Sequence, residues 1–314
     1  FNIKQNDEYG ILEVGMDKKG EIDSLSKIIK PNIGVITNIN YAHVKNFKNI
    51  KQIALAKSEI IDNIKPNGFV VLNADDSFFG LHKKIANAKN IKVVSFGIKS
   101  SKSDIKLVEV KPLGKKFKII ISLNNKNEHF FISYNFQNYI YNILCALAII
   151  SIDINISKLP KNIFLNFEIP RGRGDHSVIK IDNKKINLID QSYNSNPLSL
   201  KSAIKNYDKI DTKKSNKYLI IGDMLELGSH SKKLHQSIVP IINQTKIDKV
   251  FVKGKMVSLI FKNISKLKRG RILANNSQII ELIKKDLKNN DYLMMKASLA
   301  TGFNKIVKDL KGLN

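Results

Sequence analysis

The sequence predicts an α/β protein of two domains, each built around a mostly parallel sheet. Its 314 residues are long enough for two domains. Short apolar runs alternate with amphipathic helical stretches early in the chain and again in its last third, which is typical of parallel strands joined by right-handed crossovers. Proline, glycines and charges interrupt this alternation at 168–175. We therefore predict one domain over residues 1–168 and a second over 169–314.

The first domain combines an alternating part with an antiparallel insertion. Strands are predicted at residues 10–14, 33–37, 69–73 and 93–96, and helices at 21–29, 50–64 and 81–88. Between residues 104 and 134 the pattern changes to three antiparallel strands, at 106–110, 116–123 and 129–134, with a turn at 124–127. Two helices follow, an apolar one at 138–152 and a short one within 156–165.

The second domain resumes the alternation and is predicted to be Rossmann-like. Its expected strands are 185–189, 218–221, 249–252 and 292–295, and its expected helices are 198–207, 231–243, 277–287 and 302–310. It contains no GxGxxG fingerprint for a dinucleotide.

The formal net charge of +26 suggests nucleic acid as a partner, but the distribution of the charge does not. Lysines are spread through the whole chain together with Asn and Ile, as an AT-rich coding sequence would produce. The sequence contains no aromatic-interleaved basic motif and no zinc-ligand spacing. We therefore expect no nucleic-acid partner, although a basic field still favours anionic substrates such as nucleotides.

The apolar segments and the single cysteine indicate the cellular compartment of the protein. The longest apolar run, 143–150 with its neighbours, is too short to cross a membrane, and no secretory pattern opens the sequence. Cys145 is the only cysteine, which rules out an internal disulfide and fits a reducing compartment. We expect a cytoplasmic protein without membrane insertion.

Polar residues follow most of the predicted strands, where ligands of open parallel sheets bind. These stretches lie at residues 13–17, 37–43 and 73–76 in the first domain, and at 190–196, 222–228 and 296–298 in the second. Two such polar edges facing each other across the linker would form a closing cleft.

The candidate catalytic and metal-binding residues of the first domain are Glu13, His43 and Lys57. A carboxylate among apolar strand residues is costly unless it is paired or bound to a metal. Each residue also has a plain structural interpretation: a surface glutamate, a loop histidine and a solvated lysine on a helix. The three together indicate a magnesium and phosphoryl-transfer site. The sequence contains no GxxxxGK[ST] phosphate loop.

Seven motifs, in order over essentially the whole chain, resemble the Mur ligases. Two of them, Ser-Tyr-Asn-Ser-Asn-Pro and Gly-Asp-Met-Leu-Glu-Leu-Gly, resemble the members that use D-alanyl-D-alanine. The motifs lie at residues 13–22, 37–43, 56–60, 73–76, 172–174, 192–197 and 222–228. The resemblance implies a central ATPase-type domain and an ATP-dependent amide-bond ligase of peptidoglycan synthesis. ATP would phosphorylate the terminal carboxylate of UDP-N-acetylmuramoyl-tripeptide, and the amine of D-alanyl-D-alanine would attack the acyl phosphate.

The resemblance also implies roles for individual residues. Glu13 and His43 would bind Mg²⁺, and Lys57 would be carbamylated by CO₂, which turns a cation into an anionic oxygen ligand. The implied nucleotide contacts are Asn142 for adenine, Arg173 for the phosphates, and Asp190, Asn194 and Asn196. The implied contacts of the incoming dipeptide are Lys296, Ser298 and Asp223, and His235 matches a further family position.

Departures from the family pattern leave two alternatives open. Gln191, Tyr139 and Ala297 stand where the family usually has aspartate, asparagine and glycine. The family's N-terminal sugar-binding domain and Gly-Lys-Thr/Ser loop would both precede Phe1, so we expect a fragment that does not turn over alone. We also expect a monomer. The alternatives are a Mur ligase that adds a single amino acid and a non-catalytic nucleotide-binding paralogue.

Overall fold

The computed structural model describes residues 4–41, 44–114, 116–133 and 139–312. By their contacts, the residues form two compact units. Of the described residues, those within 4–39, 46–131 and 139–163 belong to the N-terminal unit, and those within 40–45, 132–133 and 164–312 belong to the C-terminal unit.

The N-terminal unit is built on a six-stranded sheet in the order β1-β2-β3-β4-β5-β6. Its strands are β1 (Ile33–Ile36), β2 (Phe69–Asn73), β3 (Lys92–Gly97), β4 (Ile105–Leu113), β5 (Lys116–Leu123) and β6 (Lys126–Ser133). Its helices are α1 (Glu21–Ile29), α2 (Ile50–Asp62), α3 (Phe79–Ala88) and α4 (Ile140–Ile150). Strands β1 to β4 are parallel and β5 is antiparallel to β4, which confirms the predicted combination.

The predicted strand at residues 10–14 is wrong. Residues 9–16, all within the described part of the chain, form no strand, and Ile11 is 98% exposed. An extended segment gains ladder hydrogen bonds and a buried face only from a neighbouring strand. The short helix expected within 156–165 is reduced to one 3₁₀ turn, Ile156–Lys158, because Pro160 follows.

Helix α4 is the most apolar helix of the N-terminal unit and forms part of its core. Six of its residues are buried, including Cys145. Burial raises the pKa of the Cys145 thiol to about 12. Within the described residues, no helix has the length and apolar character needed to span a membrane.

The C-terminal unit has a second six-stranded sheet in the order β11-β10-β9-β12-β8-β7. Its strands are β7 (Asp175–Ile181), β8 (Lys184–Gln191), β9 (Lys217–Gly222), β10 (Lys249–Lys253), β11 (Arg269–Ile272) and β12 (Tyr292–Lys296). Its helices are α5 (Pro197–Asp208), α6 (Ser231–Gln236), α7 (Val239–Gln244), α8 (Lys255–Phe261), α9 (Asn276–Asp286) and α10 (Phe303–Lys311). All strands are parallel except β7, which pairs antiparallel with β8. Because β12 lies between β8 and β9, the carboxyl ends of these three strands are neighbours.

Three elements of the C-terminal unit were not predicted, and one helix was predicted as continuous. Strands β7 and β11 are edge strands with mostly exposed or half-buried residues, and α8 is only seven residues long. The helix predicted at 231–243 is divided into α6 and α7, because Pro240 occupies the first turn of α7 and cannot continue a preceding helix.

Gly222, at the end of β9, is expected to tolerate no side chain. A Cβ there would lie 2.5 Å from the Cβ of Ala297 and 2.9 Å from the ring of Phe303. We expect Gly222→Ala to lower the free energy of unfolding by about 1–3 kcal/mol through overpacking, measured by urea unfolding. The double variant Gly222→Ala/Ala297→Gly removes the nearer methyl group and should recover part of the loss. Equal stability of all three proteins would contradict this packing.

Candidate functional site

The three polar loops of the C-terminal unit converge at the carboxyl ends of β8, β12 and β9. The Lys296 Nζ donates a hydrogen bond to the Asn194 carbonyl oxygen at 2.8 Å. The Ser298 hydroxyl donates to the Ser195 carbonyl at 3.2 Å and accepts from the Leu225 N–H at 2.9 Å. The loops predicted from the sequence at 190–196, 222–228 and 296–298 are therefore joined by direct contacts.

Lys296 is buried at the centre of this edge, with 2% of its surface exposed. Burial lowers the pKa of its ammonium group to about 8, and the nearby positive charge of Arg173 acts in the same direction. The hydrogen bond from Lys296 fixes the position of the Asn194 backbone. The charged form of Lys296 is less stable than that of an exposed lysine, because its ammonium group is buried.

Asn196 is the N-cap of α5. Its side-chain oxygen accepts from the Ser199 N–H at 2.9 Å, and the Ser199 hydroxyl accepts from the Asn196 N–H at 3.0 Å. Pro197 follows at the first helical position. Together they form a capping box with proline at the helix start. Asn194, in contrast, is an exposed loop residue.

The Asp190 carboxylate, at the end of β8, is buried and bonded within the unit. Its Oδ1 accepts from the Ser192 N–H at 2.9 Å and from the Ser192 hydroxyl at 2.6 Å. Its Oδ2 lies 3.3 Å from the Lys311 Nζ. These contacts orient the start of the loop that carries Tyr193 and Asn194.

Arg173 lies on the exposed side of the same edge. Its guanidinium carbon is 4.4 Å from the centroid of the Tyr193 ring, a cation–π arrangement. Gly172 has a φ of +76°, and a Cβ there would lie 2.9 Å from the Tyr193 Cβ. Glycine is therefore needed before Arg173 for the chain to approach Tyr193.

Asp223 and His235 shape the loop after β9. The Asp223 Oδ1 accepts from the N–H groups of Met256 and Val257 at 3.0 and 2.9 Å, at the first turn of α8. The His235 Nε2 accepts from the Met224 N–H at 3.0 Å, so Nδ1 carries the proton and donates to the Ser231 carbonyl at 2.8 Å. Burial lowers the pKa of His235 and favours this neutral form.

In the N-terminal unit, Lys57 and Asp76 both bind the loop after β1. The Lys57 Nζ donates to the Asn38 carbonyl at 3.0 Å, and the Asp76 Oδ2 accepts from the Ile39 N–H at 2.7 Å. Lys57 is half-buried on α2. Burial lowers the pKa of its ammonium group, and the charge of Asp76 partly opposes this effect.

Asp75 has a structural role in the N-terminal unit. Its carboxylate accepts from the N–H groups of residues 98, 99 and 100 at 2.7, 3.0 and 2.7 Å, and from the Tyr141 hydroxyl at 2.9 Å. Burial and the Asp75 carboxylate raise the pKa of Tyr141 to about 12. Asp75 thus connects the loops after β2 and β3 to the first turn of α4, next to Asn142.

The remaining predicted residues are dispersed or lie outside the described part of the chain. Glu13 is exposed in the segment that forms no strand, and Asn142 is exposed on α4. His43 falls outside the described residues. Among the residues that the structure does describe, no group of three or more His, Cys, Asp or Glu side chains is placed to hold a metal ion. The Mg²⁺ ligands therefore remain a prediction.

Two protein families match this chain, one for each half. The Mur ligase middle domain matches residues 1–150, and the Mur ligase, glutamate ligase domain matches residues 177–299. The two-unit α/β architecture and the polar loops thus place the chain among the proteins built from these two domains. The UDP-N-acetylmuramoyl-tripeptide–D-alanyl-D-alanine ligase of Rickettsia prowazekii is 32% identical over 312 residues, covering 98% of this chain and 67% of the relative. The chain belongs to the Mur ligase family.

Solved structures show the same fold. A structure of MurF from Acinetobacter baumannii matches with a TM-score of 0.83 at 22% identity, covering 99% of this chain and 66% of that one. MurF of Thermotoga maritima in complex with ADP matches with a TM-score of 0.75 at 20% identity, covering 94% of this chain and 65% of that one. The chain spans about two thirds of the length of the relatives it matches.

Proposed function

We propose that this chain is part of an ATP-dependent ligase that joins D-alanyl-D-alanine to UDP-N-acetylmuramoyl-tripeptide in peptidoglycan synthesis. The observation that carries the proposal is the convergence of the Ser192–Pro197 and Gly222–Gly228 loops with Lys296 and Ser298. These are the motifs that resemble the D-alanyl-D-alanine members of the family. The name of the Rickettsia prowazekii relative supports the same activity.

The proposed reaction has two steps. The terminal carboxylate of the tripeptide attacks the γ-phosphorus of ATP, which forms an acyl phosphate and releases ADP. The amine of D-alanyl-D-alanine then attacks the acyl carbon and expels phosphate, and the amide nitrogen loses a proton. In the C-terminal unit, Arg173 supplies positive charge for anionic substrates. The buried Lys296 holds the loop that carries Asn194. Asn194 and Asp223 belong to the loops that would contact nucleotide and dipeptide. The ADP complex of the Thermotoga maritima MurF supports nucleotide use.

The proposed magnesium site uses Glu13, His43 and a carbamate on Lys57. Bound Mg²⁺ would neutralise the crowded phosphate charge. A lysine must be neutral to react with CO₂, and the burial that lowers the pKa of Lys57 increases the neutral fraction. The carbamate would supply anionic oxygen, which suits a hard cation. We further propose that the enzyme acts as a monomer in the cytoplasm on these small-molecule substrates.

The test is phosphate release by the protein that contains this chain. The assay contains Mg²⁺, ATP and UDP-N-acetylmuramoyl-tripeptide, and compares D-alanyl-D-alanine with single amino acids and with no acceptor. We expect release to depend on the dipeptide. Phosphate release with a single amino acid would instead indicate a Mur ligase that adds a single amino acid. Nucleotide binding without release under any of these conditions would indicate a non-catalytic paralogue.

A further inference from the structure

Lys311, in the last turn of α10, lies between two carboxylates at neighbouring positions of β7 and β8. Its Nζ is 2.6 Å from the Asp175 Oδ2 and 3.3 Å from the Asp190 Oδ2, and its side chain is only 10% exposed. Asp175 and Asp190 are register partners in the antiparallel β7–β8 pair. Removing one partner of an ion pair with this little solvent contact leaves an uncompensated buried charge, which costs far more than breaking a surface pair.

Each carboxylate that Lys311 contacts also accepts a hydrogen bond from a backbone N–H of a neighbouring loop. One loop precedes β7 and the other follows β8. The Asp175 Oδ1 accepts from the Gly172 N–H at 2.6 Å. The Asp190 Oδ1 accepts from the Ser192 N–H at 2.9 Å. The orientation of both carboxylates therefore constrains the loop that ends at Asp175 and the loop that begins after Asp190.

The two loops also contact each other. The Tyr193 N–H donates to the Gly172 carbonyl at 3.1 Å, and the guanidinium of Arg173 lies over the Tyr193 ring. A displacement of either loop would move Arg173 from its position on the ring. Lys311 reaches the two loops through the Asp175 and Asp190 carboxylates.

We propose that Lys311 is a positioning residue for nucleotide binding. It fixes Asp175 and Asp190 so that Arg173 and the loop from Ser192 to Asn196 keep the geometry that nucleotide phosphates and ribose require. Asp190 then acts through Ser192 rather than by touching the nucleotide. This inference rests on the proposed function for the identity of the ligand, but the effect of Lys311 on the loops is independent of it.

The first test is hydrogen exchange followed by mass spectrometry on Lys311→Met, Lys311→Arg and Lys308→Met. Lys308 is exposed on the same helix and loses the same charge, so it is the matched control. We expect Lys311→Met to accelerate exchange at least about tenfold in peptides 170–175 and 190–196, with β9 and β12 unchanged. Lys311→Arg restores the charge and should recover part of the protection. Uniform acceleration across the unit, or none in the two loops, would overturn the proposal.

If Lys311→Met does not fold, the double variant Asp175→Asn/Lys311→Met replaces it, because the loss of one carboxylate offsets the loss of the buried cation. The same exchange pattern is expected, and the same outcomes would overturn the proposal.

The second test is the affinity of the protein that contains this chain for Mg·ADP, measured by calorimetry. We expect Lys311→Met to weaken binding at least about tenfold, and Lys308→Met to leave it unchanged. Mobile loops with unchanged ADP affinity would overturn the assigned role in nucleotide binding. If the unmutated protein binds no ADP, the nucleotide assignment in the proposed function fails, while the exchange result still decides whether Lys311 positions the loops.

Discussion

Replacing Lys57 with alanine is expected to reduce dipeptide-dependent phosphate release by at least about 10²-fold, because even indirect partners of a metal affect activity by 10- to 100-fold. The variant cannot form a carbamate, so the proposed magnesium site loses one anionic ligand. Small-to-moderate effects on stability are expected, since the Lys57 side chain is half-buried and makes one hydrogen bond to the Asn38 carbonyl. Activity is measured by phosphate release in the protein that contains this chain.

Two comparisons make this result specific to the carbamate. Lys51→Ala removes an exposed lysine from the same helix and should leave activity unchanged. Incubation with ¹³C-labelled bicarbonate should give a carbamate signal in the unmutated protein that Lys57→Ala lacks. Full activity of Lys57→Ala, or an identical ¹³C spectrum, would show that Lys57 is an ordinary structural lysine.

Lys296→Met is expected to change the pH dependence of stability of the C-terminal unit. A pKa of about 8 in the folded state, against 10.5 for an exposed lysine, corresponds to a penalty of about 3 kcal/mol at neutral pH, at 1.36 kcal/mol per pH unit. The penalty is fully present below about pH 8 and disappears as the pH rises towards 10.5, because the unfolded chain binds the extra proton there. The stability of Lys296→Met relative to the unmutated protein should therefore fall by up to about 3 kcal/mol between pH 7 and pH 10.

This difference is measured by urea unfolding at a series of pH values. Hydrogen exchange of the β9 and β12 peptides is the signal that reports unfolding of the C-terminal unit. Lys205→Met, at an exposed position of α5, is the matched control and should show a pH-independent difference from the unmutated protein. A pH-independent difference for Lys296→Met as well would mean that burial does not disfavour its charge.

The architecture could be predicted from the sequence because most elements bury an apolar face. Strand β2 and helix α1 were predicted with the bounds that the structure has, since a buried strand and an amphipathic helix each leave a clear periodicity. The failure at residues 10–14 has the opposite cause. The apolar residues there have the pattern of a strand, but pattern alone does not indicate whether a neighbouring strand is available.

The candidate site was only partly predictable, because sequence spacing indicates which loops share a sheet edge but not what each side chain contacts. The convergence at Lys296 and Ser298 followed from the rule that ligands bind at the carboxyl ends of parallel strands. The internal bonds of Asp75 and Asp190 did not follow from it. Their partners Tyr141 and Lys311 are distant in sequence and carry no recognisable motif. Lys311 has no sequence signal beyond its place at the end of an amphipathic helix.

The single buried cysteine allows the opening of the N-terminal unit to be measured separately from that of the C-terminal unit. Cys145 lies in the core of that unit, and its high pKa keeps the thiol protonated and unreactive while helix α4 stays packed. A thiol reagent added to the native protein would then label it only when that core opens, so the labelling rate reports the opening free energy of the N-terminal unit alone. No engineered probe is needed, because the C-terminal unit contains no cysteine.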